Sequence, residues 1–281
     1  MPSVLVTGAA RGIGRAIVDH LASTGWDVIA GVRTEQDAAA VTNAHPQRVS
    51  AVILDITDAG HLAKLTEALP ERLDAVVNNA GIAVAGPIET VSPDDWREQL
   101  EVNVIGQFAV TQAVLPQLRK ARGRVLFISS VNGRIATPML GPYSASKFAL
   151  EAAADALRVE LRAWGIPVVV IEPSQTDTDM WRTAADMVLE VEAGMSQAHR
   201  DLYAKHIAGM KKFVPRARKM ASPTDKVVAV VDEALTARRP KARYVVGLLP
   251  KIQAAAVPRL PVTLRDRLMG FMVGLPQRPR G

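Results

Sequence analysis

The 281-residue chain contains no cysteine, which excludes disulfides, thiolate metal sites and a cysteine nucleophile together and fits a reducing compartment. It has no run of about 18 apolar residues, so a membrane-spanning helix is excluded. It also lacks a basic-then-apolar leader pattern. Ser3-Val4-Leu5-Val6-Thr7 leads at once into a glycine turn, and a cytoplasmic location is expected. Apolar residues are not scarce: they make up 48% of the chain against 22% charged, enough for a sizeable buried core.

The net charge of +6 is unevenly spread. From Arg238 onward there are ten basic residues against one acid, Asp266, so the body before it is slightly acidic. A nucleic-acid partner is not expected, because glycine turns and apolar strands occupy that body.

Strand-length apolar runs alternate with helix-length periodic segments. The predicted strands are Ser3–Thr7, Asp27–Val32, Arg48–Leu54, Leu73–Asn78, Gly123–Ser129, Ile166–Glu172 and Arg243–Leu248. They are continuous rather than alternating, as befits parallel strands buried on both faces. Predicted helices cover Ile13–Ser23, Gln36–Ala44, Ala59–Leu69, Ser92–Leu118, Ser144–Trp164 and Thr224–Arg238. The pattern predicts an α/β fold: a single doubly wound parallel sheet of Rossmann type, with helices on both faces. Residues 1–257 form the expected catalytic domain and 258–281 a basic amphipathic tail. The insertion Thr178–Ala221 follows a strand's carboxyl end and is expected to be a helical lid over the ligand.

Thr7-Gly8-Ala9-Ala10-Arg11-Gly12-Ile13-Gly14 joins the first strand to the first helix. Gly8, Gly12 and Gly14 permit a tight turn and close approach of a pyrophosphate, and the helix N-terminus offers N–H groups to that anion. A dinucleotide site is the leading reading, against a plain strand–helix turn or a methyltransferase loop. At the end of the second strand, where an NAD site usually places an acid, the chain has Gly31 and then Arg33. With Arg11 in the glycine turn, this favours a 2′-phosphate and hence NADP(H) over NAD.

Tyr143-Ser144-Ala145-Ser146-Lys147 sets a phenol and an ammonium on one helical face. A nearby cation lowers a phenol's pKa toward the working range of an acid/base group. Taken together, the glycine turn, Asn78-Asn79-Ala80-Gly81, Asn103, Ser130 and the Tyr143/Lys147 pair resemble the short-chain dehydrogenase/reductase family, over roughly residues 3–250.

The resemblance implies roles for these positions. Tyr143 exchanges a proton with the carbonyl or alcohol oxygen, and Ser130 holds that oxygen. Lys147 lowers the Tyr143 pKa and meets the nicotinamide ribose, while Asn103 positions a water beside Lys147. Gly8, Gly12, Ile13 and Gly14 receive the pyrophosphate, and Arg11 and Arg33 the 2′-phosphate. Asp55 and Ile56 lie by the adenine ring, and Asn79, Ala80 and Gly81 line the cofactor or brace the sheet. Pro173, Thr176 and Thr178 lie near the carboxamide. The family usually has Pro-Gly after the sixth strand, whereas this chain has Pro173-Ser174, a departure that bears on the local backbone.

Leu157-Arg158-Val159-Glu160-Leu161 and Ile171-Glu172-Pro173 look like the steroid and retinol dehydrogenase branch. Met180, Trp181, Met187, Val188, Leu189 and Met195 give the lid an apolar character that favours a lipophilic substrate, or else they only pack the lid onto the body. His199 and His206 have no partner carboxylates at metal spacing, so no metal is expected. In the tail, Leu264, Leu268, Phe271, Met272 and Leu275 form a helical stripe flanked by Arg265 and Arg267, suited to an anionic membrane surface, to the chain's own domain or to a partner subunit. Family resemblance implies a homodimer or tetramer through the long fourth and fifth helices.

The expected function is therefore NADP(H)-linked interconversion of an alcohol and a carbonyl on a lipophilic substrate. One alternative is a 3-oxoacyl thioester reductase, for which Thr178-Asp179-Met180 and the basic Lys211, Lys212, Arg216, Arg218 and Lys219 would serve an acidic carrier. A non-catalytic NADP-binding sensor or scaffold is a third reading, disfavoured by the intact Asn–Ser–Tyr–Lys set.

Overall fold

β1 (Ser3–Thr7) is buried along its whole length, as a strand covered on both faces must be. In the computed structural model, which describes residues 1–275, it lies inside a seven-stranded parallel sheet. The other strands are β2 (Asp27–Val32), β3 (Val49–Ile53), β4 (Ala75–Asn78), β5 (Arg124–Ile128), β6 (Val168–Glu172) and β7 (Arg243–Val245). Their order is β3-β2-β1-β4-β5-β6-β7, so the winding reverses between β1 and β4. A crevice opens at such a switch point, outside the carboxyl ends of the strands.

Helices α1 (Gly12–Ser23) and α2 (Glu35–Ala44) connect the first three strands, and α3 (Ala59–Leu65) leads to β4. α4 (Pro93–Leu100) and α5 (Gln107–Ala121) precede β5, and α6 (Gly141–Glu160) precedes β6. One face of the sheet packs Ile17, Val18 and Leu21 of α1 against Val4, Val6 and Val28. Val227 and Val231 of α10 (Asp225–Thr236) join them. The other face packs Val110, Val114 and Leu118 of α5 and Leu150 of α6 against Leu5, Val76 and Phe127.

The predicted helix Ser92–Leu118 is interrupted. Ser92 caps α4 through a capping box with Asp95, and Glu101–Gly106 then winds as a π-helical turn before α5. Such turns insert an extra residue and gather at functional sites. The predicted strand Arg243–Leu248 stops at Val245, because Gly247 turns to φ +93° and Pro250 lies in the first turn of α11 (Leu248–Ala256).

Residues 178–221 form three helices: α7 (Asp179–Arg182), α8 (Ala184–Gly194) and α9 (Gln197–Lys219). α12 (Val262–Met272) closes the described chain, and Arg278 and Arg280 of the predicted tail lie outside the described residues. No described helix is long and apolar enough to cross a membrane.

Candidate active site

The crevice begins where β1 gives way to α1. Gly8 and Gly12 turn through φ +64° and +57°, conformations that glycine adopts without strain. A Cβ on Gly14 would collide with the Gly8 carbonyl, and one on Gly8 would stand 2.9 Å from Ala80 Cα. The glycines therefore let three backbone segments converge. Arg11 leaves the start of α1 without a side-chain cap, so its first N–H groups remain free for an anion. This cradle fits the pyrophosphate of a dinucleotide.

Arg11 and Arg33 are both exposed at its rim, and neither forms an ion pair among the described residues. Beside them Asp55 accepts from the Thr57 N–H at 2.9 Å and from its hydroxyl at 2.7 Å. Those bonds hold its carboxyl below the usual range, and Arg33 adds a smaller pull. Ile56 is buried, and its carbonyl stands where a Cβ on Gly106 would collide.

Thr7 Oγ1 accepts from the N–H groups of Asn79 and Ala80 at 3.0 and 3.1 Å, tying β1 to the turn after β4. Asn79 Nδ2 donates to the Thr7 and Gly8 carbonyls, at 2.9 and 3.2 Å, so this residue braces the glycine turn. The following loop is held by three buried amides, one per helical turn. Gln107 Nε2 donates to the Ala80 carbonyl at 2.7 Å. Asn103 clasps Ile82, accepting from its N–H and donating to its carbonyl, both at 2.9 Å. Gln99 accepts from the Val84 N–H at 2.7 Å. Gly81 packs against Asn103, with a Cβ there 3.2 Å from Oδ1.

The reacting end forms where β5 meets α6. Burial raises the Tyr143 phenol above its ordinary pKa, and a hydrogen bond with Ser130 opposes the shift. Lys147, 4% exposed, donates from Nζ to the Ile128 carbonyl at 2.9 Å. Burial brings its pKa down to about 8, against an opposing pull from Glu151. The Lys147 ammonium lies 5.9 Å from the centre of the Tyr143 ring. Burial is the largest influence on the phenol, and the Lys147 ammonium, one helical turn away, donates to a carbonyl. Asn103 reaches the same helix through Ser146 Oγ at 3.0 Å and does not touch Lys147.

The β6 end completes the enclosure. Pro173 and Thr176 are buried, and Thr176 Oγ1 donates to the Ser174 carbonyl at 3.1 Å. Ser174 keeps a negative φ, so the loop does not use the backbone freedom that glycine would have given. Thr178 faces the glycine turn, with a Cβ on Gly12 lying 3.6 Å from its own Cβ.

The lid meets the body through Met210, Val214 and Val273, which form a buried cluster joined by Met139, Val188, Phe213 and Leu275. Met195 is buried as well, Trp181 and Met187 are half-buried, and Leu189 faces outward. The side chain of Met180 lies outside the described residues. Met139 adopts φ +68°, a strained conformation for its residue type, in the loop before Tyr143. Tyr203 anchors α9 by donating to Glu89 Oε2 at 2.7 Å.

Gln99, Gln107 and Glu151 escaped the sequence reading, and Ser129, the hydroxyl beside Ser130, turns to Glu151. Gln99, Asn103 and Gln107 recur every four residues in an otherwise core-facing helix, a polar stripe that signals buried amides with fixed partners. Glu151 continues the spacing of Tyr143 and Lys147. Arg243, counted in the basic tail, is instead paired with Glu151, Asp155 and Glu172. Among the described residues no cluster of three or more histidines or carboxylates could hold a metal ion.

The family model for short chain dehydrogenase matches residues 2–188. An NADPH-dependent 3-dehydrocapnine reductase from Ornithobacterium rhinotracheale is 35% identical over 95% of this chain and 96% of its own. Retinol dehydrogenase 5 of mouse is 30% identical over 97% of this chain and 89% of its own. Among solved structures, a short-chain dehydrogenase from Streptomyces avermitilis superposes with a TM-score of 0.73 at 26% identity, covering 90% of both chains.

Proposed function

The chain belongs to the short chain dehydrogenase family, as an oxidoreductase resembling its retinol and steroid dehydrogenases, and from that premise we propose that it uses NADP(H) to interconvert an alcohol and a carbonyl on a lipophilic substrate. The observation that carries the reading is the meeting of Tyr143, Ser130 and Lys147 at the carboxyl end of β5, in the same crevice as the glycine cradle.

When bound, a nicotinamide dinucleotide supplies or accepts the hydride. The chain does the rest. The cradle at Gly8, Gly12, Ile13 and Gly14 takes the pyrophosphate, with Ala80 and Gly81 beside it. Arg11 and Arg33 take a 2′-phosphate, and Asp55 and Ile56 flank the adenine. Pro173, Thr176 and Thr178 border the carboxamide end. Ser130 donates to the substrate oxygen and Tyr143 passes it a proton. A phenol held above its ordinary pKa is protonated at neutral pH, the form that carbonyl reduction requires. Donors fixed where the oxygen gains charge stabilise the transition state more than the ground state. Lys147 carries the positive charge beside this pair, and Asn103 holds the loop that walls it.

The apolar lid, with Met195, Val188 and Phe213 turned inward, favours lipophilic substrates. The thioester reading loses part of its support. Lys211 is paired with Glu192 at 2.6 Å, and Arg216, Arg218 and Lys219 sit in the last turn of α9, where cations complement the helix dipole. Exposed Ile105, Phe148 and Val159 on the α5–α6 side support a homo-oligomer. Exposed Leu264, Phe271 and Met272, with Arg265 and Arg267, support a cytoplasmic protein that touches anionic membranes through its tail.

The test is a panel of ketones and aldehydes, from sugars to steroids and long-chain carbonyls, with NADPH or NADH followed by absorbance. Lipophilic carbonyls with NADPH should turn over fastest. Turnover confined to sugars, or none with any carbonyl, refutes the reading. Sedimentation with anionic liposomes, comparing the full chain with one ending at Pro258, tests the membrane contact, and equal partitioning defeats it.

A further inference from the structure

Three consecutive residues at the end of β5 each meet a successive turn of α6. Ser130 lies close enough to Tyr143 to draw its phenol pKa downward, the Ile128 carbonyl accepts from Lys147 at 2.9 Å, and Ser129 Oγ donates to Glu151 Oε1 at 2.7 Å. Tyr143, Lys147 and Glu151 thus form one stripe, a turn apart each. Glu151 is 4% exposed, and proton transfer as described has no use for it.

Behind Glu151 lies an ionic cluster drawn from four elements, with Glu151 and Glu172 buried and its other members partly exposed. Arg243 of β7 pairs with Glu151, with Asp155 at 2.6 Å and with Glu172 at 3.2 Å. Glu172, fully buried at the end of β6, takes Arg134 through an ion pair of 2.6 Å and a hydrogen bond of 2.7 Å. Arg158 pairs with Asp155. Gly133 leaves room for the Glu151 carboxylate, since a Cβ there would collide with its Oε1 and Cδ.

Burying the Glu151 and Glu172 carboxylates is costly, and apolar replacements of buried ion pairs are often neutral or stabilising, so stability is a weak reason for placing charges there. Its geometry does something more specific. It fixes a carboxylate one turn beyond the ammonium and fastens it to the strand end that carries Ser130.

We propose that Glu151, held by Ser129 and Arg243 one helical turn beyond Lys147, is a positioning residue that keeps the Lys147 ammonium charged where the Ile128 carbonyl holds it. The proposal rests on the reading of Tyr143 and Lys147 as the working pair. The charged groups facing Glu151 are Arg243, Glu172, Arg134, Lys147 and Asp155, with Arg158 behind Asp155. Of these, Glu172 adds to the upward push of burial on the Glu151 carboxyl, while Ser129 and Arg243 oppose it. On Lys147 burial pushes toward the neutral amine and the Glu151 charge pulls back.

The test is an NMR titration of ¹³C-lysine in the cofactor-free protein, with the Lys147 signal assigned by its loss in Lys147→Met. The native midpoint should lie at about 8. In Glu151→Gln, whose amide oxygen can still accept from Arg243 while its NH2 donates to the Ser129 hydroxyl, it should fall by about one pH unit. The alkaline limb of kcat for carbonyl reduction should move down with it while KM for NADPH stays unchanged. Glu151→Asp, which keeps the charge, should restore both. An unmoved Lys147 midpoint in Glu151→Gln overturns the proposal, and so does an equal fall in Glu151→Asp, so either variant decides if the other fails to fold. Tyr143→Phe in the same assay separates the two readings. Full turnover there refutes the functional assignment, whereas a dead Tyr143→Phe with an unmoved midpoint refutes only the role of Glu151.

Discussion

Gly12 and Thr178 face each other so closely that a Cβ on the glycine would stand 3.6 Å from the threonine's Cβ. The turn after the first strand and the loop after the sixth are thereby two walls of one crevice. The Tyr143–Lys147 helix supplies the third under the proposed function, which would put binding and proton transfer in a single enclosure, and each wall can be tested separately.

Replacing Tyr143 with Phe removes the proton while preserving the ring. Turnover should fall by roughly 10²–10⁴-fold, the usual contribution of a general acid. NADPH affinity, read by fluorescence titration, should remain. Retained turnover would show that another group transfers the proton.

Lys147 gives the reaction a pH dependence with a definite sign. Its pKa is lowered to about 8, so the ammonium is present below that pH and lost above it. Reduction should be level through neutrality and decline as pH rises past about 8. A rate that climbs across that range would contradict a charged Lys147 as the working form.

Arg33→Asp places a carboxylate where a 2′-phosphate is expected. Losing one charge-assisted bond costs about 1.5–3 kcal/mol, so the NADPH-over-NADH ratio of kcat/KM should drop by about tenfold or more. An unchanged ratio would mean that Arg33 is merely a solvated loop residue.

Gly14→Ala pushes a methyl group into the Gly8 carbonyl and stands 2.5 Å from Asn79 Nδ2. The cradle should deform, with loss of NADPH binding and a lowered Tm. Native affinity in this variant would separate the glycine turn from the cofactor.

Ser174→Gly restores the residue usual in the family. Because Ser174 already sits at a negative φ, the change relieves no strain and adds unfolded-state freedom. Activity should be unchanged and stability lower by about 0.4–1 kcal/mol in denaturant melts. A large rise in kcat would show that the serine constrains the loop.

Much of this was legible in the residues. Continuous apolar runs such as Val4–Val6 and Val168–Ile171 can only be strands covered on both sides, and their alternation with helices fixes the winding. The glycine turn and the Tyr143/Lys147 spacing are local signatures, readable because each is set within one or two turns of chain. The π-helical turn at Glu101–Gly106 was not legible. It adds a residue inside an otherwise regular helical pattern, and Gly106 at its end reads in sequence as an ordinary helix position, whereas the contacts there, Asn103 to Ile82 and Gly106 against Ile56, are tertiary. Arg243 was read correctly as the start of a strand, but its ion pairs were not legible, because Glu151, Asp155 and Glu172 come from distant segments.

Val273 is 1% exposed and seated among Met210 and Val214 of the lid. The segment around Val273 is thus anchored on α9 and does not hang free of the body. If α7–α9 cover the substrate as proposed, a bulky fusion placed after this segment would bear on that cover, so kinetic constants measured on C-terminally and N-terminally tagged protein should differ in substrate preference before they differ in cofactor affinity.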